Sequence, residues 1–465
     1  MAAFWAATNR SLTVTARNRR VTNIVTGRAA RVSKRMLNRE HSHLPSRDRQ
    51  EAVPAAAAAL LLCFAALATA AGIPKSEYKA RRAELRKSLD GVMVLFGATE
   101  PADLHNSFFQ ESNFLYLSGW QEPGAAMMLT RGEEIIFLPP RNALSEIFSG
   151  RRTLPGDPDA AEKTGFEKVL PTSALESTFL RLLAQSNRIY MLPGDERARK
   201  LQSLGVLHES ADAAAEIARL RVRKSPAEIE LIQKSVNAAV AAHLAAWKRM
   251  KPGLFEYQIA AAITDNYLER GCERSAYAPI VGSGPDSVIL HSMSNRRPIE
   301  SGDLVVMDAG AECSAYASDV TRTVPATGKF TARQREIYDI VLGAQKAAIA
   351  AVRPGIRLQG DAPSLYRIAY DYIDTHGSDL HGNPLGRYFT HGLGHFVGLD
   401  VHDPGDLNQP LRPGMVITIE PGIYLPEENI GVRIEDTLVV TENGAKDLSA
   451  ALPREPGEIE KLVAK

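Results

Sequence analysis

Four carboxylates and one imidazole in the last third of the chain stand where charge is expensive to keep. The apolar run Leu304 to Met307 ends on Asp308, and Met415 to Ile419 ends on Glu420. Glu435 alternates with Val432 and Ile434, and Asp319 follows Asp308 by eleven residues, a spacing that suits two neighbouring strands joined by a loop. His395 lies in a turn rich in glycine and histidine. A lone carboxylate at the end of a buried strand is strongly disfavoured unless it protonates or finds a counter-charge. Four of them converging with one imidazole would balance two divalent cations. That arithmetic points to a two-metal hydrolase.

The segment from His391 to His402 holds three histidines in twelve residues, His391, His395 and His402, in a chain with only eleven. Its glycines rule out a regular helix, and with it a helical HExxH zinc site. An oxygen-rich set with one imidazole favours manganese, with cobalt, iron and zinc as alternatives. His291, after the glycine-rich stretch Val281 to Pro285, is a further pocket candidate. Arg433, two residues before Glu435 on the same strand face, can orient a ligand carboxylate. Each residue has a plainer reading, as a turn acid before glycine or half of a surface ion pair. Their number in one region argues against it.

The elements that must position these groups fall into three parts. Residues 1–71 combine a basic start, with seven arginines, one lysine and no acid in the first 35, and the uncharged apolar run Pro54 to Ala71. Together with the small residues Ala68-Thr69-Ala70 this is a signal-peptide pattern, so an exported protein is expected. A cytoplasmic or membrane-anchored protein is the alternative, and Met36 offers a second start that leaves a leader of ordinary length. Residues 72–213 alternate helix and strand, with strands expected at 91–96, 113–119, 125–129, 134–138 and 188–192, which argues for a small α/β domain. Residues 214–465 open at Ser225-Pro226-Ala227-Glu228 with a capping box on a long helix. Further helices are expected at 254–270 and 334–352. Strands are expected at 277–281, 287–290, 304–308, 318–324, 415–420 and 431–440, forming a curved antiparallel sheet with the acids on its concave side.

Composition constrains partners. The chain has 465 residues, 45% hydrophobic and 23% charged, so ample core can form. A net charge of +1 gives no electrostatic case for nucleic acid. With three cysteines no disulfide framework is expected, and Cys272 and Cys313 read as small buried apolar residues.

The motifs VGSGPDSVILH, MDAG, SDVTRT, HGLGHFVGLDVHD, TIEPGIY and GVRIEDT resemble the pita-bread metallopeptidases, and within them the aminopeptidase P and prolidase group. The segment FFQESNFLYLSGWQEPGA is similar to that group's amino-terminal domain, whereas residues 1–71 match nothing in it. The resemblance implies an α+β pita-bread catalytic domain after the smaller α/β domain, and two divalent ions held by Asp308, Asp319, His395, Glu420 and Glu435. It implies Glu420 as general base, and His291 and His402 at the scissile carbonyl and the proline side of the substrate. His391 would shape the pocket and Tyr424 would line it. Which histidine polarises the carbonyl, and whether the free amine meets a metal, stay open. The expected activity is release of the first residue from peptides with proline second, by a homo-oligomer. TRTVPATGKFTARQREIYDIV leans that way, while HGLGHF leans towards a dipeptidase for Xaa-Pro. A third alternative, a binding protein on the same scaffold that has lost its ligands, is disfavoured because all five are intact.

Overall fold

The computed structural model describes residues 72–463, apart from 102, 104–106 and 362. The leader therefore lies outside the described residues, and the part from residue 71 onward forms one unit.

The amino-terminal part is built on a six-stranded mixed sheet in the order β4-β3-β2-β1-β5-β6. Its strands are β1 (Val92–Phe96), β2 (Ala126–Leu129), β3 (Glu134–Leu138), β4 (Val169–Pro171), β5 (Arg188–Met191) and β6 (Glu209–Asp212). The run Val92-Met93-Val94-Leu95-Phe96 is buried throughout, as a strand covered on both faces must be. Alternate residues separate cleanly. Val92, Val94 and Phe96 pack with Phe179 and Leu182, whereas Met93 and Leu95 join the core that continues through the carboxy-terminal part. Helix α1 (Lys75–Arg86) reaches across: Arg81 pairs with the buried Glu228 at 3.1 Å.

Residues 113–119 correct the strand expectation. They lie in helix α2 (Ser112–Ser118), whose start is capped by the Glu111 carboxylate accepting from Phe114 N–H at 2.6 Å. Gly119 ends it at φ 65°. A short apolar run buried on all sides has no periodicity that separates strand from helix; the cap residues decide. Helix α3 (Ala213–Arg221) runs across the division expected between residues 213 and 214.

The carboxy-terminal part opens with α4 (Pro226–Arg249), where Ser225 and Glu228 form the expected capping box. Helices α5 (Glu256–Glu269), α6 (Ala332–Ala351) and α7 (Leu365–Thr375) follow, the last not anticipated. The antiparallel sheet is present in four pieces. β8 (Ile280–Ser283) and β12 (Thr321–Pro325) flank β9 (Leu304–Asp308), while β7 (Arg274–Ser275) and β11 (Tyr316–Ala317) flank β10 (Ala311–Cys313). β16 (Asp436–Thr441) lies between β13 (Val416–Ile419) and β17 (Gly444–Asp447), and β14 (Gly422–Leu425) pairs with β15 (Ile430–Arg433).

Three expectations change here. The strand expected at 287–290 is not formed: residues 284–288 make a 3₁₀ turn, because Gly284 takes φ 51° and Pro285 has no N–H for a ladder. The expected strand 431–440 breaks at Ile434-Glu435, where Glu435 N–H turns to the Thr321 carbonyl at 3.1 Å. Cys272 and Cys313 are joined in a disulfide: β7 pairs antiparallel with β10, and this places the two Cα atoms 4.2 Å apart.

Candidate metal centre

Asp308 is the last residue of β9, opposite Thr321 of β12 and Ile280 of β8. Asp319 lies just before β12. The two are brought together by a tight return in which a Cβ on Gly310 would stand 1.8 Å from the Ser318 carbonyl oxygen. Only glycine fits there. On the other side His395 and Glu420 face each other through backbone pairing: Thr418 N–H donates to the His395 carbonyl at 2.9 Å, and Glu420 N–H to the Leu393 carbonyl at 2.9 Å. Gly394 allows this approach, since a Cβ there would meet Thr418 O at 2.1 Å. Glu435 enters from the break between β15 and β16.

The side chains converge. His395 Nε2 lies 3.3 Å from Asp319 Oδ2 and 3.5 Å from Glu420 Oε1. Ligand atoms of Asp319, His395 and Glu435 all lie within 4.8 Å of one another. Arg433 is buried beside them and donates to Asp308 Oδ2 at 2.6 Å and to the Tyr424 hydroxyl at 2.8 Å. Tyr424 in turn contacts His391 Nε2 at 2.9 Å, and His391 Nδ1 contacts the Gly392 carbonyl at 2.8 Å. A carbonyl only accepts, so Nδ1 carries the proton and Nε2 takes the tyrosine's hydrogen. Proton direction thus runs one way, from Arg433 through Tyr424 to His391.

The electrostatics show what is missing from the protein's own charges. Burial pushes the Asp308 carboxyl up, but Arg433 and the Tyr277 hydroxyl outweigh it and hold the group below the usual range. His395 offsets only part of the charge of the others. Burial, reinforced by Asp319 and opposed by His395, lifts Glu420 to about 7. Burial and then the charges of Asp319, Glu420 and Asp308 raise Glu435 well above a normal carboxylate. Burial would lower His395, yet its bond to Asp319 and the nearby Glu420 raise it to about 9. Glu435 Oε1 is buried with no hydrogen-bond partner among the described residues. Four carboxylates, one guanidinium and an orphaned carboxylate oxygen fit divalent cations at this place.

His291 and His402 are exposed residues. The His402 ring centre lies 4.2 Å from that of His395, and desolvation followed by the His395 charge lowers its pKa. Next to His291, the Leu290 carbonyl accepts from Arg433 Nη2 at 3.4 Å. The loop carrying His402 is anchored from outside the catalytic strands. Asp403 accepts from Arg221 at 2.6 Å and Lys224 at 2.9 Å, while Asp400 accepts from Arg221 at 2.7 Å and from Ser112 of α2 at 2.6 Å.

Sequence reasoning did not single out three site residues. Tyr277, partly buried, bonds through its hydroxyl to both Asp308 and Asp319. Thr321 donates to Glu435 Oε2 at 2.7 Å. Thr418 donates to Glu420 Oε1 at 3.2 Å and accepts from His395 N–H at 3.0 Å. Strand alternation puts Thr321 beside Asp319 and Thr418 two residues before Glu420, which was the available signal; Tyr277 had none.

Comparison with known proteins agrees with this geometry. Residues 230–442 match the metallopeptidase family M24, and residues 78–190 match the aminopeptidase P amino-terminal domain. A Xaa-Pro aminopeptidase of Haemophilus influenzae is 36% identical over 85% of this chain and 99% of its own. A Xaa-Pro dipeptidase of Pyrococcus furiosus is 43% identical, but over 50% of this chain and 64% of its own. The structure of Escherichia coli aminopeptidase P with the inhibitor Pro-Leu superposes with a TM-score of 0.76 at 32% identity, covering 84% of this chain and 99% of that one. The expected pita-bread domain behind a smaller α/β domain is therefore borne out. The chain belongs to metallopeptidase family M24, among the members that carry the aminopeptidase P amino-terminal domain.

Proposed function

We propose that this metallopeptidase releases the amino-terminal residue from peptides with proline in second position, using two divalent ions, Mn²⁺ by preference. The observation that carries the reading is the convergence of Asp308, Asp319, His395, Glu420 and Glu435, with Glu435 Oε1 left unpartnered among the described residues. The extent of similarity favours an aminopeptidase over a dipeptidase, because the aminopeptidase relative matches through the amino-terminal part as well.

The five ligands would hold the ions, which supply Lewis acidity and lower the pKa of an attacking water when bound. The rest is the work of the chain. Glu420, its Oε1 3.5 Å from His395 Nε2, is placed beside the ions to take a proton and return it to the leaving amine. Arg433 and Tyr277 keep Asp308 ionised and fixed. His402 and His291, exposed at the mouth, are free to donate to the scissile carbonyl oxygen as charge develops there. Proline offers no N–H, so recognition rests on shape, and the His391–Tyr424 pair supplies a fixed wall.

Purified protein reconstituted with Mn²⁺ should cleave Xaa-Pro-Yaa tripeptides and leave Xaa-Ala-Yaa nearly untouched. Efficient cleavage of Xaa-Pro dipeptides alone would reassign it as a dipeptidase, and equal cleavage of alanine peptides would reject proline specificity.

We also propose export and self-association. The apolar run before residue 72 and a disulfide between Cys272 and Cys313 both support an oxidising destination. Mature protein from the native host should begin near Ala71 or Gly72; cytoplasmic protein retaining residues 36–60 would refute export. Exposed Leu144, Ile147 and Phe148 on one short helix support a homo-oligomer, and a monomeric mass by light scattering would refute it.

A further inference from the structure

The carbonyls of Ile419 and Ile434 belong to the residues just before the two site glutamates, Glu420 and Glu435. Both accept from one side chain: Gln345 Nε2 lies 3.3 Å from Ile419 O and 3.2 Å from Ile434 O. The same nitrogen reaches Asp436 Oδ2 at 3.0 Å. Gln345 projects from α6 and is fully buried.

Its orientation is forced. Three oxygens face the nitrogen, so exchanging the amide N and O would set an oxygen against all three. The Oε1 atom is left buried with no partner among the described residues. Stranding a buried acceptor costs stability, so general stability is a poor reason for this residue. Its donor geometry is the better one.

Each peptide's N–H is held by its own partner, Glu420 N–H by the Leu393 carbonyl at 2.9 Å and Glu435 N–H by the Thr321 carbonyl at 3.1 Å, so these bonds fix the two peptides to different segments rather than to each other. β13 ends at Ile419 and β15 at Arg433, and Ile434 N–H reaches the Pro421 carbonyl only at 3.4 Å. From behind, Arg322 Nη1 adds a bond to the Glu435 carbonyl at 2.5 Å, and its Nη2 holds Asp436 at 2.6 Å. Gln345 alone among these groups touches the peptides of both glutamates.

We infer that Gln345 is a positioning residue that ties the Ile419–Glu420 peptide to the Ile434–Glu435 peptide and so sets the spacing of the two glutamate carboxylates. The inference rests on the metal-centre reading. Gln345 touches no substrate and acts only through the backbone.

The test is Mn²⁺ binding to the metal-free, folded full chain by titration calorimetry. Gln345→Met keeps the length and removes the donor; its Mn²⁺ Kd should rise about tenfold to a hundredfold, as for other groups that orient ligands. KM for Xaa-Pro-Yaa at saturating Mn²⁺ should be unchanged. Val341→Ala, one turn earlier on the same helix and reaching neither carbonyl, serves as a control that loosens packing and should leave the Kd unchanged. Should Gln345→Met not fold, Gln345→Asn keeps an amide too short to reach both carbonyls and carries the same expectation. Wild-type Kd in the folded Gln345 variant, or an equal loss in Val341→Ala at matched melting temperature, overturns the inference. A wild-type chain that binds no Mn²⁺ refutes the metal-centre reading instead.

Discussion

Arg433 Nη2 lies 2.6 Å from Asp308 Oδ2, while Nη1 of the same guanidinium donates to Tyr424 at 2.8 Å. One buried cation therefore ties a site carboxylate to His391 by way of the tyrosine. Lysine cannot copy a two-armed contact of this kind. Arg433→Lys should lower kcat/KM by about tenfold to a hundredfold. Arg433→Met leaves Asp308 without its cation and should destabilise the metal-free protein by about 3–5 kcal/mol. Added Mn²⁺ should recover part of that loss. Thermal melts with and without Mn²⁺ check both statements; equal melting of wild type and Arg433→Met without metal would show the pair to be idle.

Arg221 bonds to Asp403, Asp400 and Asn113 at once, so helix α3 and helix α2 together brace the loop that presents His402. Arg221→Gln should reduce kcat far more than it reduces metal content, because none of its partners is a metal ligand. Steady-state kinetics beside elemental analysis distinguishes the two. Loss of bound metal in parallel with kcat would mean that the loop supports the metals themselves.

His243 of α4 sits beneath the site, fully buried, with Nε2 3.0 Å from the Val320 carbonyl. Burial, then the Arg322 charge, lowers its pKa from 6.5 to about 4. The unfolded chain therefore takes up a proton near 6.5 that the folded chain refuses until about 4. Stability from this group is complete above 6.5 and is lost as pH falls through that window. The loss amounts to about 3 kcal/mol at the lower end. Urea unfolding across this range should show a steeper acid decline for wild type than for His243→Gln. Parallel curves would contradict it.

The Cys272–Cys313 bond closes a segment of 41 residues that contains Tyr277, His291 and Asp308. Chain entropy predicts that Cys272→Ser with Cys313→Ser costs about 4 kcal/mol at most. Denaturation of the double variant against wild type measures it, and an unchanged midpoint under oxidising conditions would deny the bond any role.

Much of this site was legible because its acids interrupt apolar runs. Asp308 and Glu420 announce themselves as charges ending buried strands, and the histidines between 391 and 402 stand out against their glycines. The supporting shell carries no such mark. Tyr277, Thr418 and Gln345 are ordinary lone residues in sequence, and their roles depend on long-range pairing that brings distant carbonyls and carboxylates to them. The same limit explains the misread elements. Residues 114–117 are a run of only four consecutive apolar residues, so period alone could not choose helix over strand. The break at Ile434-Glu435 exists because Glu435 N–H finds Thr321, a partner more than a hundred residues away.

The central claim is that four carboxylates and His395 hold two divalent ions for turnover. Elemental analysis of protein reconstituted with Mn²⁺ and freed of excess metal tests it most directly, for wild type, Asp308→Ala and Glu435→Ala. The account predicts two ions per wild-type chain, fewer in either variant, and no cleavage of Xaa-Pro-Yaa by the variants. Wild-type metal content and activity in Glu435→Ala would contradict it.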